Sequence, residues 1–122
     1  MSKKDETGKI GETAACAYLK KYGYRILHTN WRFGRYELDI VATSGEELVI
    51  IEVKTRAADH LVAPEESVNA AKIRRIVAAA DAYVQKYHLV LPVRFDVVFL
   101  TANGQTCVVD EHIEDAFFAP VE

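Results

Sequence analysis

The stretch Glu47-Leu48-Val49-Ile50-Ile51-Glu52-Val53-Lys54-Thr55 decides how the rest of the chain is read. Its four apolar residues, Leu48 to Ile51, do not alternate with polar ones. A strand with one face in water would alternate, so this strand is expected to be covered on both faces and central in a sheet. Ser44-Gly45 before it is a turn signal, and Tyr36-Glu37-Leu38-Asp39-Ile40-Val41-Ala42-Thr43 reads as the strand that precedes it. Gly34-Arg35 turns the chain again, and residues 24–33, Tyr-Arg-Ile-Leu-His-Thr-Asn-Trp-Arg-Phe, read as extended. Three strands joined by tight turns make an antiparallel meander.

Outward from this meander the period changes. Residues 7–22 place Ile10, Ala14, Ala17, Tyr18 and Tyr22 at helical spacing, and Gly23 is a C-terminal stop. Residues 56–68 read as a polar loop containing Pro64. Asn69 caps a second helix over 70–87, whose apolar stripe is Ile73, Ile76, Val77, Ala80, Val84 and Tyr87. Pro92 breaks that pattern. Residues 93–100 form a fourth strand, and Asn103-Gly104 signals a hairpin into a last strand over 106–110. Residues 1–6 are expected to fray, and 111–122 to form an acidic tail. A helix between the third and fourth strands permits a parallel crossover. The expected fold is α/β: a mixed sheet flanked by helices in the order α-β-β-β-α-β-β, one domain over residues 1–122.

Alternation along strands puts Glu37, Asp39 and Val41 on one face of the second strand, and Glu52 and Lys54 on one face of the third. Neighbouring strands run about 5 Å apart, so Asp39 and Glu52 can converge. Two carboxylates are hard oxygen donors suited to Mg²⁺ or Mn²⁺, with the backbone carbonyl of Val53 as a further donor. A cation so held polarises a phosphate oxygen and acidifies water. Lys54 then offsets charge in the transition state. A lone Glu-x-Lys on a strand is ordinarily a surface ion pair of little consequence. Here the pair ends an apolar strand, and Asp39 lies within Leu38-Asp39-Ile40-Val41, so all three are costly to bury without a compensating ligand.

The spacing Asp39…Glu52-Val53-Lys54 resembles the D…ExK signature of the PD-(D/E)xK nucleases. The ordered blocks Gly11-Glu12, Gly23-Tyr24, Glu37-Leu38-Asp39-Ile40-Val41-Ala42, Glu52-Val53-Lys54-Thr55-Arg56, Lys72 and Arg94-Phe95-Asp96-Val97-Val98 resemble the bacterial YraN-like family, predicted endonucleases related to archaeal Holliday-junction resolvases. The resemblance covers residues 8 to 100. It implies a restriction-endonuclease-like fold, Asp39 and Glu52 as metal ligands, Lys54 as the catalytic lysine and Glu12 as a further ligand from the first helix. It also implies Glu37 in a supporting role, branched or structured DNA as substrate and a homodimer. The Gly-Glu-(Ile/Leu)-Asp block of that family has Gly where this chain has Tyr36, which adds bulk beside the site. Fold-level likeness carries activity only by analogy, and a non-catalytic nucleic-acid or partner-binding module is the alternative.

The remaining chemistry is sparse. Net charge is −3 at pH 7. All fifteen Lys and Arg precede residue 95 beside twelve Asp and Glu, and the other six carboxylates follow with no Lys or Arg. A basic surface is therefore compatible with an acidic total. Arg56, Lys72 and Arg75 are candidate phosphate contacts, and Arg74 fits a solvated helix face. Trp31 and Phe33 are either packing residues or base-stacking ones. Cys16 and Cys107 read as free thiols in apolar settings. His28, His60, His88 and His112 have no zinc spacing. Arg94 and Asp96 share a strand face and are expected to pair. There is no signal-peptide core and no apolar run near the ~18 residues of a membrane span, so a cytoplasmic location without a membrane partner is expected.

Overall fold

A computed structural model describes residues 6–58 and 69–117. Helix α1 (Glu6–Lys21) is followed by β1 (Arg25–Phe33), β2 (Tyr36–Ser44), β3 (Glu47–Ala57), α2 (Ala70–Lys86), β4 (Val93–Asn103) and β5 (Thr106–Ile113). The five strands form one mixed sheet in the order β1-β2-β3-β4-β5. Only the β3–β4 pair is parallel, because only there does a helix carry the chain back to the same end of the sheet. β3 is central, as its apolar run requires: Leu48, Val49 and Ile51 are fully buried and Ile50 nearly so.

The two sheet faces carry separate cores. Ile40, Ala42, Val49, Ile51, Val98 and Leu100 pack under Ala15 and Leu19 of α1. Leu38, Val41, Leu48, Ile50 and Phe95 pack under Ile76, Ala79, Ala80 and Tyr83 of α2. Helix α1 stops as the Gly23 signal predicts. Gly23, at φ 91°, donates its N–H to Lys20 O at 3.1 Å, and Tyr24 N–H reaches Leu19 O at 2.9 Å. That is a Schellman closure, with Leu19 and Tyr24 in apolar contact beneath it. Asn69 caps α2 by accepting the Lys72 N–H at 2.9 Å.

Several sequence boundaries move. Glu6 is already helical, and residues 1–5 of the segment expected to fray lie outside the described ones. β3 continues through Arg56 and Ala57 because both pair with β4, opposite Thr101 and Ala102. The expected loop 56–68 thus begins later, and its residues 59–68 lie outside the described ones. The last hairpin centres on Gly104-Gln105, since Asn103 and Thr106 are the closing pair. The expected acidic tail is largely structure. Residues 111–113 belong to β5, the Asp115 N–H donates to Asp96 Oδ1 at 3.0 Å, and Phe117 stacks on Phe95 at 5.0 Å. Residues 118–122 lie outside the description. No helix among the described residues is long and apolar enough to cross a membrane.

Helix α1 lies close against β3 at Gly11, which is buried. A Cβ there would collide with the Oγ1, Cβ and Cγ2 atoms of Thr55. Gly11→Ala gains helix propensity of about 1 kcal/mol, but overpacking at a rigid contact costs roughly 1–3 kcal/mol. The expected net result is a lower thermal midpoint by circular dichroism. Thr55→Ala in the same chain removes the colliding hydroxyl and is expected to recover part of the loss.

Candidate active site

The site grows from an irregularity between β1 and β2. Leu38 and Val41 both pack toward α2, whereas Ile40 and Ala42 pack toward α1. Strict alternation along β2 therefore breaks across Asp39. Glu37, Asp39 and Val41 do not simply share one face. Opposite this break, between the pairs Thr29–Ile40 and Trp31–Leu38, Asn30 adopts φ 52°. That left-handed conformation is one that Asn tolerates better than most residues. β2 also stops pairing with β3 here; the last matched pair is Ile40–Ile51. The Asp39 carboxylate occupies the parting, and its Oδ2 accepts the Val53 N–H at 2.9 Å. A side chain thus takes over a backbone pairing, which holds Asp39 beside Glu52.

β3 keeps its alternation, so Glu52 and Lys54 follow Leu48 and Ile50 onto the α2 side. Together with Asp39 they line a cleft of about 320 Å³ whose other walls are Arg35, Tyr36, Glu37, Val53, Lys72, Arg75 and Ile76. Glu52 is only 3% exposed. Its Oε1 lies 3.4 Å from Lys72 Nζ and 4.0 Å from Lys54 Nζ. Burial, and then the negative charge of Asp39, push the Glu52 carboxyl up to about 7; the two ammonium groups pull it only partly back. Burial, and then the second ammonium on Lys72, hold Lys54 down at about 8. A raised carboxyl at Glu52 and a lowered ammonium at Lys54 in one cleft are the pattern expected of a site that handles charge.

The sequence candidates are placed unevenly. Asp39, Glu52, Lys54, Lys72, Arg75 and Glu37 converge, with Glu37 Oε2 also 3.7 Å from Arg32 Nη1. Lys72 is deeper in the site than a phosphate contact on a helix surface would be. It reaches the buried carboxylate from the first turn of α2. Glu12 does not line the cleft; its Oε1 accepts the Asn30 Nδ2–H at 2.6 Å. Arg56 is exposed near the end of β3, and Arg74 is exposed on α2. Arg35 enters the lining although the sequence marked it only as part of a turn. Among the described residues no three His, Cys, Asp or Glu side chains form a ready metal cluster. His28 and His112 are engaged with Tyr83 and Asp96, and His60 lies outside the description. Cys16 and Cys107 are free thiols, partly buried, and burial raises both.

A sequence model described as "Uncharacterised protein family UPF0102" matches residues 11–100. A UPF0102 protein of Parabacteroides distasonis is 53% identical over 120 residues, covering 98% of each chain. One from Bacteroides thetaiotaomicron is 48% identical over 121 residues, covering 99% of each. One from Porphyromonas gingivalis is 49% identical over 119 residues, covering 96% of this chain and 87% of the relative.

Proposed function

We propose that this chain, which belongs to the UPF0102 family, is a divalent-metal-dependent endonuclease of the PD-(D/E)xK type, acting on structured or branched DNA. The observation that carries the reading is the pair Asp39 and Glu52, lining a polar cleft with Lys54 and Lys72 against the buried carboxylate. An idle Glu at 3% exposure beside another carboxylate is costly, and a cation held by these residues would offset that cost.

The donor set fits Mg²⁺ or Mn²⁺. Mg²⁺ takes one or two protein carboxylates and keeps several waters, so two suffice without a third acidic ligand. Asp39 and Glu52 would hold it, with the Val53 carbonyl as a further oxygen donor; Glu12, which the resemblance adds, stands outside this cleft on Asn30. When bound, the cation supplies Lewis-acid polarisation of a phosphate oxygen and a more acidic water. The chain's own residues do the rest. Glu52 must be ionised to act as a ligand, and Lys72, 3.4 Å from it, would then be free to turn from Glu52 to a phosphate oxygen of the substrate. Lys54 stays protonated below about pH 8, placing positive charge where the phosphoryl group gains negative charge. Arg35 and Arg75 line the same cleft and suit the flanking phosphates, positioning the strand without reading sequence.

Proton competition gives this site a pH signature. The folded Glu52 carboxyl is raised to about 7 from 4.5, so its contribution to stability is complete below about 4.5 and is lost as pH rises through 7. Metal binding needs the deprotonated form, so affinity follows the opposite course. Calorimetric titration with Mn²⁺ is expected to show about tenfold weaker binding at pH 6 than at pH 8, one pH unit below 7 removing one factor of ten. Affinity independent of pH across this range would take Glu52 out of the ligand set.

The direct test is a cleavage panel with Mg²⁺ or Mn²⁺: junction, flap, single-stranded and duplex DNA, plus RNA. Metal-dependent cutting of branched or flapped DNA that is lost in Lys54→Ala is the expected result. Tight binding without cutting, unaltered by that substitution, would mean a binding module on the same fold.

A further inference from the structure

The tip of the β1–β2 hairpin stands at the mouth of the cleft. Phe33 and Tyr36 are directly paired across the two-residue turn Gly34-Arg35, where Gly34 takes φ 59°. A positive φ at the first central residue matches the tight turns that suit strand twist, so the tip is short and its side chains are fixed in register. The two rings lie 6.4 Å apart at 55°. Tyr36 lines the cleft that holds Asp39, Glu52 and Lys54, and so does Arg35. Phe33 is 47% exposed, a large apolar ring left in water.

The neighbouring aromatic residue behaves differently. Trp31 projects to the same side of β1, but it is used in packing. Its ring is edge-on to Tyr83 at 5.0 Å and 6.4 Å from Tyr87, and its Nε1–H donates to the Tyr87 hydroxyl at 3.3 Å. Of the two aromatic residues flanking Arg32, the structure thus commits Trp31 to the fold and leaves Phe33 at the rim. Tyr36 joins Phe33 there, within the carboxylate cleft itself.

In a continuous duplex the base faces are covered by their neighbours, so rings beside a phosphodiester site find nothing to stack on. An unpaired nucleotide offers its face, and stacking on an aromatic side chain is independent of base identity. Resting on the nuclease reading above, we propose that Tyr36 and Phe33 form an aromatic lip that stacks an unpaired nucleobase next to the phosphate seated at Asp39 and Glu52. The preferred substrate is then a nucleic acid that is single-stranded at the cut position. Arg35, between the rings, holds the backbone of that same nucleotide.

The test separates stacking from cleavage. Short single strands carrying 2-aminopurine, in DNA and RNA form, and the matched duplex are titrated with the protein in EDTA, so that binding is read without cutting. Quenching of 2-aminopurine in both single strands is expected, since a stack does not read the sugar. Tyr36→Ala is expected to weaken single-strand binding by roughly 5- to 150-fold and leave duplex binding unchanged. Tyr36→Phe keeps the ring and is expected to bind like the parent. Phe33→Ala, at an exposed position, gives the second reading should Tyr36→Ala fold poorly. Equal losses on single strand and duplex, an unquenched probe, or no single-strand binding by the parent would each overturn the lip. Cleavage of duplex and single strand at equal rates, with both rings dispensable, would overturn it while leaving the nuclease reading intact. Ring-dependent binding with no cleavage of any substrate would do the reverse.

Discussion

Replacing Asp39 with Asn is expected to remove metal-dependent phosphodiester cleavage while leaving the fold in place. Losing even a residue that supports a metal ligand costs 10- to 100-fold in affinity or activity. Losing one of two carboxylate ligands is therefore expected to cost on the order of a hundredfold or more. The fold survives because Asn keeps the shape of Asp and an oxygen that can still accept the Val53 N–H, now at 2.9 Å from Asp39 Oδ2. The substitution also removes the carboxylate that raises Glu52, so the metal-free protein is expected to be no less stable than the parent at neutral pH. Single-turnover cleavage and thermal unfolding, run on the same preparations, check both halves. Undiminished cleavage would exclude Asp39 from the chemistry. A collapsed melting curve would make it a structural residue.

The largest effect on stability is expected across the sheet, at Asp96. This carboxylate is fully buried on the α1 side. Arg94 grips it from the same strand, Nε to Oδ1 and Nη2 to Oδ2, both at 2.9 Å. His112 Nε2 lies 2.8 Å from Oδ2, the Tyr24 hydroxyl donates at 3.4 Å, and the Asp115 N–H caps Oδ1 at 3.0 Å. Burial alone would raise this carboxyl. The hydrogen bonds from Arg94, His112 and Asp115, with the charge on Arg94, outweigh it and hold the group below its usual range. Its stabilisation is therefore present above the ordinary carboxylate range and is lost as pH falls through the lower folded value. Asp96→Asn takes from Arg94 its two-pronged buried partner and leaves it only the more exposed Glu47 and Glu114, at 3.0 and 3.6 Å; removing one partner of a buried pair costs about 3–5 kcal/mol, and these remaining carboxylates place the expected cost toward the lower end. For a domain of this size that is roughly 10–20 °C in thermal midpoint. Replacing both partners, Arg94→Met with Asp96→Leu, is expected to cost less than Asp96→Asn alone. A double variant worse than the single would show that the pair itself, and not the orphaned charge, carries the energy. The same cluster ties β5 and the segment after it to α1, because Tyr18 hydroxyl meets His112 Nδ1 at 2.9 Å.

What the sequence revealed and what it hid follow from the range of the forces involved. The central strand was legible because Leu48 to Ile51 can only be buried on both faces. Glu52 and Lys54 followed from that strand by parity alone. The Asn69 cap and the Gly23 stop rest on interactions within a few residues, and both hold. Asp39 stands out in the sequence for an incomplete reason. Its position depends on a break in alternation opposite a left-handed Asn30, and no local pattern announces such a break. Lys72 was marked as a basic contact, yet its place against Glu52 depends on where the first turn of α2 lands on the sheet. The expected pairing of Arg94 with Asp96 holds, but its partners Tyr24, His112 and Asp115, and Tyr18 that bonds His112, come from both ends of the chain. The segment after residue 110 looked like a tail because its acids hid the alternation of a short edge strand.

The measurement that bears most directly on the metal site is thermal unfolding at pH 8 with and without Mn²⁺, for the parent chain and for Glu52→Gln. A cation bound to the folded state alone, at a hundred times its Kd, adds about 2.7 kcal/mol, a rise on the order of 10 °C here. The parent is expected to show that rise. Glu52→Gln is expected to show none, while melting without metal at or above the parent, since a buried amide is less costly than a buried carboxylate. No rise in the parent at millimolar Mn²⁺, or an equal rise in both proteins, would contradict a metal centre at Asp39 and Glu52.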